Sequence, residues 1–247
     1  MAATGIRLHD ITVAYHGDIT ILNGVHLHAK AGEVTGIIGP NGAGKSTVLK
    51  TMFGFLRPRA GGRIELGERD ITTMKPDQRA AQGVAFVPQS RSLFGELSVE
   101  DNLQLGCWPF RGDKARMAKA VEAVYERFPI LHEKRRAPAS SMSGGQQRFL
   151  ELGRALLLDP QVILLDEPTA MIAPKLSKEI YRFIRTLADE GRTVVLVDQN
   201  VRQCINVSDE VYILELGRNK AQARASAFHD AMALRSMIAS WMDYKID

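Results

Sequence analysis

Val34-Thr35-Gly36-Ile37-Ile38 is a compact β-rich run that opens directly into Gly39-Pro40-Asn41-Gly42-Ala43-Gly44-Lys45-Ser46-Thr47. The stretch from Ser46 to Phe53 then has helix character until Gly54 stops it. The loop fits G-x-x-x-x-G-K-[ST] and lies between a predicted strand and a predicted helix, the context in which that pattern is believable. Glycine has no Cβ, so the backbone can wrap round phosphate oxygens and aim several N–H groups at them. Lys45 supplies a point charge to the outer phosphates, the helix N-terminus adds its partial positive charge, and the Ser46 hydroxyl can ligate Mg²⁺. A chance glycine-rich loop would not bring three glycines, a lysine and two hydroxyls into this register.

Val162-Ile163-Leu164-Leu165 reads as a buried parallel strand, and it runs into Asp166-Glu167 at its C-terminal edge. An acid there can hold Mg²⁺, directly or through water, while the next one polarises an attacking water. Asp166 is the metal candidate and Glu167 the general base. A strand ending in two acids is often only the start of a loop; the phosphate loop upstream makes the functional reading the stronger. Ser143-Gly144-Gly145-Gln146-Gln147 contains a capping box, with Ser143 as N-cap and Gln146 reaching back to its backbone N–H. Capping does not ask for two successive glycines. They strip side chains from the first turn and leave a bare helix N-terminus, a second anion site. Two phosphate-facing surfaces on one chain suggest two copies sharing each nucleotide.

Along the rest of the chain, Leu8, Ile11, Val13 and Tyr15, then Ile21, Val25 and Leu27, alternate as short antiparallel strands, with Gly17-Asp18 and Asn23-Gly24 as turn signals. Arg63 to Leu66 and Val84 to Val87 are further strands. Between Gln89 and Ser143 lies a mainly helical insert of 53 residues, in which Met117, Val121, Val124 and Phe128 share one helix face. Strands at Val162 to Leu165 and Thr193 to Val197, separated by a helix from Lys175 to Asp189, give the rhythm of a parallel sheet, and Val211 to Leu214 adds another strand. From Ser226 onward Phe228, Ala231, Leu234, Ile238 and Trp241 fall at helical spacing, as a packed face.

Composition sets the frame. The 247 residues are 45% hydrophobic and 24% charged, which excludes disordered, collagen-like and disulfide-stapled classes. No window reaches the roughly 18 apolar residues of a membrane-spanning helix, the start has no secretory h-region, and Cys107 and Cys204 have no Cys-x-x-Cys spacing. A reducing cytoplasm is the expected setting. Lys plus Arg exceed Asp plus Glu by 32 to 28, but the densest basic piece is only Lys134-Arg135-Arg136, a solvated loop by composition. The local phosphate sites explain anion affinity, and no nucleic-acid partner is expected.

The loop at 39–47, Gln89, the Ser143 to Gln147 signature and the 162–167 strand occur in the order and spacing of ATP-binding cassette (ABC) ATPases, and the resemblance covers nearly the whole chain. It implies an α/β fold: a P-loop NTPase (RecA-like) core with an N-terminal antiparallel β subdomain and an inserted α-helical subdomain. Core and β subdomain would occupy about 4–90 and 156–247, the helical part about 91–155, as a single nucleotide-binding domain. It further implies a sandwich dimer, homomeric or heteromeric, in which ATP on one subunit's Lys45 loop is closed over by the other's Ser143, Gly144 and Gly145. Binding and hydrolysis of ATP would move partner subunits. By the same resemblance Tyr15 matches the aromatic that stacks on adenine, although Ile11, Val13 and Tyr15 also fit one buried strand face. Gln89 matches the loop glutamine that meets metal or water and signals to a membrane partner. Where the family usually has histidine, this chain has Asp198-Gln199-Asn200; Gln199 can donate to the γ-phosphate but carries no charge. Where many members have aspartate after the carboxylate turn, it has Ala173 before Pro174. These departures, with the stretch Leu93-Phe94 to Leu105, resemble the cassettes of branched-chain amino-acid and urea-type importers.

That resemblance implies an importer ATPase subunit on the inner face of the cell membrane, held there by separate transmembrane permease subunits and served indirectly by a substrate-binding protein. A soluble ABC ATPase of iron–sulfur assembly is the alternative of the right size; translation-type members carry two cassettes and repair-type members a long coiled coil. A P-loop kinase or GTPase would require the Ser143 signature to be accidental.

Overall fold

Each apolar run forms the strand or helix its period implies, and the order of those elements sets the architecture. The computed structural model describes residues 3–15 and 19–228. In chain order it has β1 (Ile6–Tyr15), β2 (Ile19–Ala29), β3 (Val34–Ile38), α1 (Lys45–Phe53), β4 (Arg63–Leu66), β5 (Arg69–Asp70), α2 (Pro76–Ala81) and β6 (Val84–Val87). Next come α3 (Val99–Gly106), α4 (Lys114–Arg127), α5 (Pro129–Glu133) and α6 (Gly144–Leu156). The chain continues through β7 (Val162–Asp166), α7 (Pro174–Asp189), β8 (Thr193–Val197), α8 (Val201–Val207), β9 (Glu210–Glu215) and β10 (Arg218–Arg224).

Two sheets result. One is antiparallel in the order β2-β1-β4-β5; the other runs β10-β9-β3-β8-β7-β6, parallel throughout except for β10 at its edge. The central strands are buried on both faces, which is why their sequences are continuous rather than alternating. Val162 and Leu164 of β7 pack with Val48, Leu49 and Met52 of α1 and with the inner face of β1 and β2. Ile163 and Leu165 face the other way, toward Ile180, Ile184 and Leu187 of α7. Each such Ile or Leu contributes about 1.5–3 kcal/mol by leaving water. Val121, Val124 and Phe128 join the second cluster, and Phe128 stacks on Phe149 of α6 at 5.3 Å. The helical insert therefore shares its core with the sheet.

Two turn signals fared differently from expectation. Asn23-Gly24 is no turn: it lies inside β2 as an irregularity between the pairs Ile11↔Val25 and Val13↔Leu22, with Gly24 at φ +66. The bulge is held by Asn23 N donating to Gly217 O and Gly24 N to Thr12 Oγ1. Gly17-Asp18 lies outside the described residues, as does the C-terminal helical pattern beyond Phe228. Gly54 does end α1, in the left-handed conformation, its N–H donating to the carbonyls of Lys50 and Thr51. Both cysteines are buried and free.

Candidate active site

The strands β3, β8, β7 and β6 are adjacent and parallel, so their carboxyl ends fall on one edge of the sheet. Each loop leaving that edge carries a residue singled out by the sequence: the Gly39 loop after β3, Gln199 after β8, Glu167 after β7 and Gln89 after β6. Open α/β sheets place ligands at such an edge.

The loop glycines have separate reasons. A Cβ on Gly39 would lie 2.1 Å from the Leu214 carbonyl oxygen, and one on Gly44 2.7 Å from Leu22 Cδ2; on Gly42, at φ +81, it would meet nothing within 4 Å. The chain's own packing thus demands Gly39 and Gly44, and Gly42 is the position that opens the backbone outward. Clearing room for phosphate is not the whole reason for three glycines.

Lys45 is 7% exposed, and its Nζ donates to Gly39 O at 2.9 Å and Pro40 O at 2.8 Å. Burial pulls its pKa below the ordinary lysine value, against the charges of Glu167 and Asp166. Ser46 Oγ donates to Asp166 Oδ1 at 2.8 Å. Asp166 is 2% exposed; burial pushes its pKa up, opposed by the Ser46 hydrogen bond and by Lys50 and Lys45. A hydroxyl and a carboxylate side by side are hard oxygen donors of the kind Mg²⁺ takes. Among the described residues no cluster of three or more His, Cys, Asp or Glu forms a cation site. The chemistry of a Ser–Asp oxygen pair fits an ion whose remaining ligands come from nucleotide and water.

Glu167 sits in the left-handed region at φ +47, its N–H donating to Val197 O at 2.7 Å. Its Oε2 accepts from two amides, Gln89 Nε2 at 2.6 Å and Gln199 Nε2 at 2.7 Å. Three loops thus converge on one carboxylate oxygen. Tyr15 lines a cavity of 390 Å³ together with Gly42, Lys45, Ser46, Glu167 and Gln199, and Asn41 and Thr47 also border it. Ile11 and Val13 are fully buried while Tyr15 is only half-buried, so the three do not share one buried strand face.

The signature lies elsewhere. Ser143, Gly144, Gly145 and Gln146 do not line the cavity around Lys45. The capping box is made: Gln146 N donates to Ser143 Oγ at 3.4 Å and Ser143 N to Gln146 Oε1 at 3.1 Å. The expectation of a wholly bare first turn needs correcting at Gly145, which is buried; a Cβ there would lie 2.2 Å from Leu176 Cδ1 of α7.

Sequence reasoning missed a second network beside Gln199. Thr169 Oγ1 donates to Asp198 Oδ2 at 2.8 Å and lies 3.1 Å from Tyr181 Oη, while Asn200 N donates to Asp198 Oδ1 at 2.9 Å. It ties the loop after β7 to the loop after β8. Its members are scattered in sequence and carry no motif, so only the fold brings them together.

A doubly wound sheet with a glycine-rich loop, a buried lysine and a strand-end carboxylate pair at its ligand-binding edge defines a P-loop nucleoside-triphosphatase. The ABC transporter family model matches residues 22–170, and the chain belongs to that family. It is the ATP-binding subunit type, which hydrolyses ATP to power transport. The high-affinity branched-chain amino acid transport ATP-binding protein BraG of Pseudomonas aeruginosa is 39% identical over 209 residues, covering 85% of this chain and 88% of that one. The lipopolysaccharide export system ATP-binding protein LptB of Escherichia coli is 37% identical, covering 84% and 86%. Among solved structures, MJ1267, an ATP-binding cassette of an ABC transporter, superposes with a TM-score of 0.84 at 28% identity over 97% of this chain and 98% of that chain. The dimeric post-hydrolysis cassette MJ0796, bound to ADP and Pi, gives 0.75 at 25% identity over 89% and 98%. Among the described residues no helix is long and apolar enough to cross a membrane.

Proposed function

We propose that this chain is the ATPase subunit of an importer for branched-chain or other hydrophobic amino acids. It works as a dimer of cassettes on the cytoplasmic face, driving separate permease subunits that receive cargo from a substrate-binding protein. The observation that carries this reading is the 39% identity to BraG over most of both chains. Gln199-Asn200 and Ala173-Pro174 support it as subgroup features.

ATP binds across the Gly39 to Thr47 loop, with Tyr15 against the base and Lys45 exchanging its two loop carbonyls for phosphate oxygens. Ser46 and Asp166 would hold Mg²⁺ with Gln89 nearby; when bound, the ion neutralises charge on the phosphates. Glu167 orients and deprotonates the water that attacks the γ-phosphate in line, and Gln199 holds the carboxylate and donates to the phosphate as charge develops. Ser143, Gly144, Gly145 and Gln146 close over the nucleotide of the second subunit. The whole chain forms one cassette, with the helical part at about 91–155.

Affinity purification of the tagged chain from native membranes tests the reading. Co-purification of permease subunits that import a hydrophobic amino acid, with ATPase activity raised by that cargo and its binding protein, is the expected result. A lipid-export complex would instead favour the second reading, to which the 37% identity to LptB points. Recovery only from the soluble fraction would favour the iron–sulfur assembly alternative.

A further inference from the structure

Arg148 and Glu151 sit on successive turns of α6, and both are almost fully buried, with side chains 6% and 2% exposed and joined by a 2.9 Å ion pair. A buried pair of this kind seldom raises stability over apolar residues of similar size, so its partners beyond each other are informative. Arg148 Nη1 donates to Pro88 O at 2.9 Å and Nη2 to Gln89 O at 3.1 Å. Glu151 Oε1 accepts from Ser92 N at 2.6 Å and Ser92 Oγ at 3.3 Å. One turn on, Arg154 Nη1 donates to Ser92 O at 2.7 Å. Three consecutive turns of α6 therefore grip the backbone of residues 88–92 at both ends. The first grip falls on Gln89 itself, whose side-chain amide donates to Glu167 Oε2 at 2.6 Å.

We infer that Arg148 and Glu151 are positioning residues for hydrolysis: they fasten the Gln89 loop to α6 and so fix where the Gln89 amide meets Glu167. This rests on the reading of Glu167 as the carboxylate that prepares the water. The guanidinium fork is what the task requires, because two neighbouring carbonyls must be held at once and a lysine ammonium cannot reproduce that planar reach. Glu151 fixes the fork's orientation and takes the backbone N–H and the hydroxyl of Ser92 in charge-assisted hydrogen bonds. The same helix begins at Ser143, the surface that serves the partner's nucleotide. A shift of α6 at that surface is carried along a rigid element to the Gln89 loop and from there to this chain's own Glu167. The two nucleotide sites of a dimer are in this way mechanically joined through one helix.

The test is a mutant cycle on the full-length chain, measuring kcat, KM for ATP and Tm for the parent, Gln89→Ala, Arg148→Lys, the pair Arg148→Met with Glu151→Leu, and each clamp change combined with Gln89→Ala. Expected are a kcat about ten-fold lower for Arg148→Lys and for the paired change, at nearly unchanged KM, because a small misplacement of an orienting group weakens the chemical step. In the Gln89→Ala background the same changes lower kcat by less than about two-fold, since their effect runs through Gln89. Losses that multiply in full, a parental kcat for the clamp variants, or a parental kcat for Gln89→Ala overturn the proposal. Should the paired change lower Tm strongly, Arg148→Lys, which keeps charge and ion pair, decides the question alone. Glu167→Gln, measured alongside, separates the two readings: unchanged turnover there removes the role of Glu167, whatever the cycle shows.

Discussion

The Gln199 side-chain amide donates to Glu167 Oε2 at 2.7 Å, from the position where ABC cassettes usually carry a histidine. Gln89 reaches the same oxygen at 2.6 Å. Glu167 is therefore held by two neutral donors from two different loops. Glu167→Gln removes the base and should lower turnover by roughly 10²–10⁴-fold with ATP binding retained and a long-lived dimer visible by size. Gln199→Ala removes one of two holding groups and should lower turnover less. Single-turnover hydrolysis of the two variants side by side checks the order; equal losses would make the amide as necessary as the carboxylate.

A glutamine amide does not titrate, and this gives the second prediction. With Gln199 in place, no ionisation at this position shapes the pH–rate profile. Gln199→His introduces a group with a pKa near about 6.5, which donates from both nitrogens below that value and from one above it. The ratio of variant to parent turnover should therefore change between roughly pH 6 and pH 8. A ratio constant over that window would mean the new ring makes no contact with reacting groups.

Gly145 separates packing from ligand binding. A Cβ there meets Leu176 Cδ1 at 2.2 Å, so Gly145→Ala displaces the half-buried Leu176 side chain of α7 and should lower stability by about 1 kcal/mol. Adding Leu176→Ala makes room and should recover much of that loss in a denaturation curve. If stability returns and turnover does not, the position matters to the partner's nucleotide as well as to the core.

The legible part of the fold was the part with a period or a motif. The strands at 34–38, 63–66, 84–87 and 193–197 have the predicted bounds. Of the Met117 to Phe128 spacing, Val121 and Val124 are a buried face of α4, Met117 packs half-buried against the same core, and Phe128 enters it just past the helix end. What could not be read is held by single polar side chains acting on distant backbone. Arg79 is fully buried and donates to the carbonyls of Thr51, Met52, Thr72 and Met74, fastening the C-terminal end of α1. In the sequence it is one arginine in a polar stretch. Arg148 and Glu151 are of the same type in their bonds to the backbone of residues 88–92, and Asp198 likewise meets the distant Thr169 hydroxyl, because the fold and not sequence spacing sets those partners. Asn23-Gly24 misled for a related reason: its turn chemistry is real, but β2 uses it for a bulge.

Ala173 occupies the N-cap of α7 and offers no side-chain acceptor to the first turn, while Pro174 follows at the first helical position. The backbone there is extended, at φ −57 and ψ 142, which aspartate before proline adopts without strain. Ala173→Asp should therefore stabilise the chain by about 1 kcal/mol through a capping hydrogen bond and its charge at the helix N-terminus. The same carboxylate restores the acid that many ABC cassettes carry after the catalytic turn. A change confined to the helix cap raises Tm and leaves the dependence of turnover on ATP concentration as it was. A change that also links the two nucleotide sites steepens that dependence, and the Hill coefficient of ATP hydrolysis for Ala173→Asp against the parent distinguishes the two. The expected outcome is a higher Tm with a steeper curve; a lower Tm would mean the new side chain does not reach the α7 N–H groups.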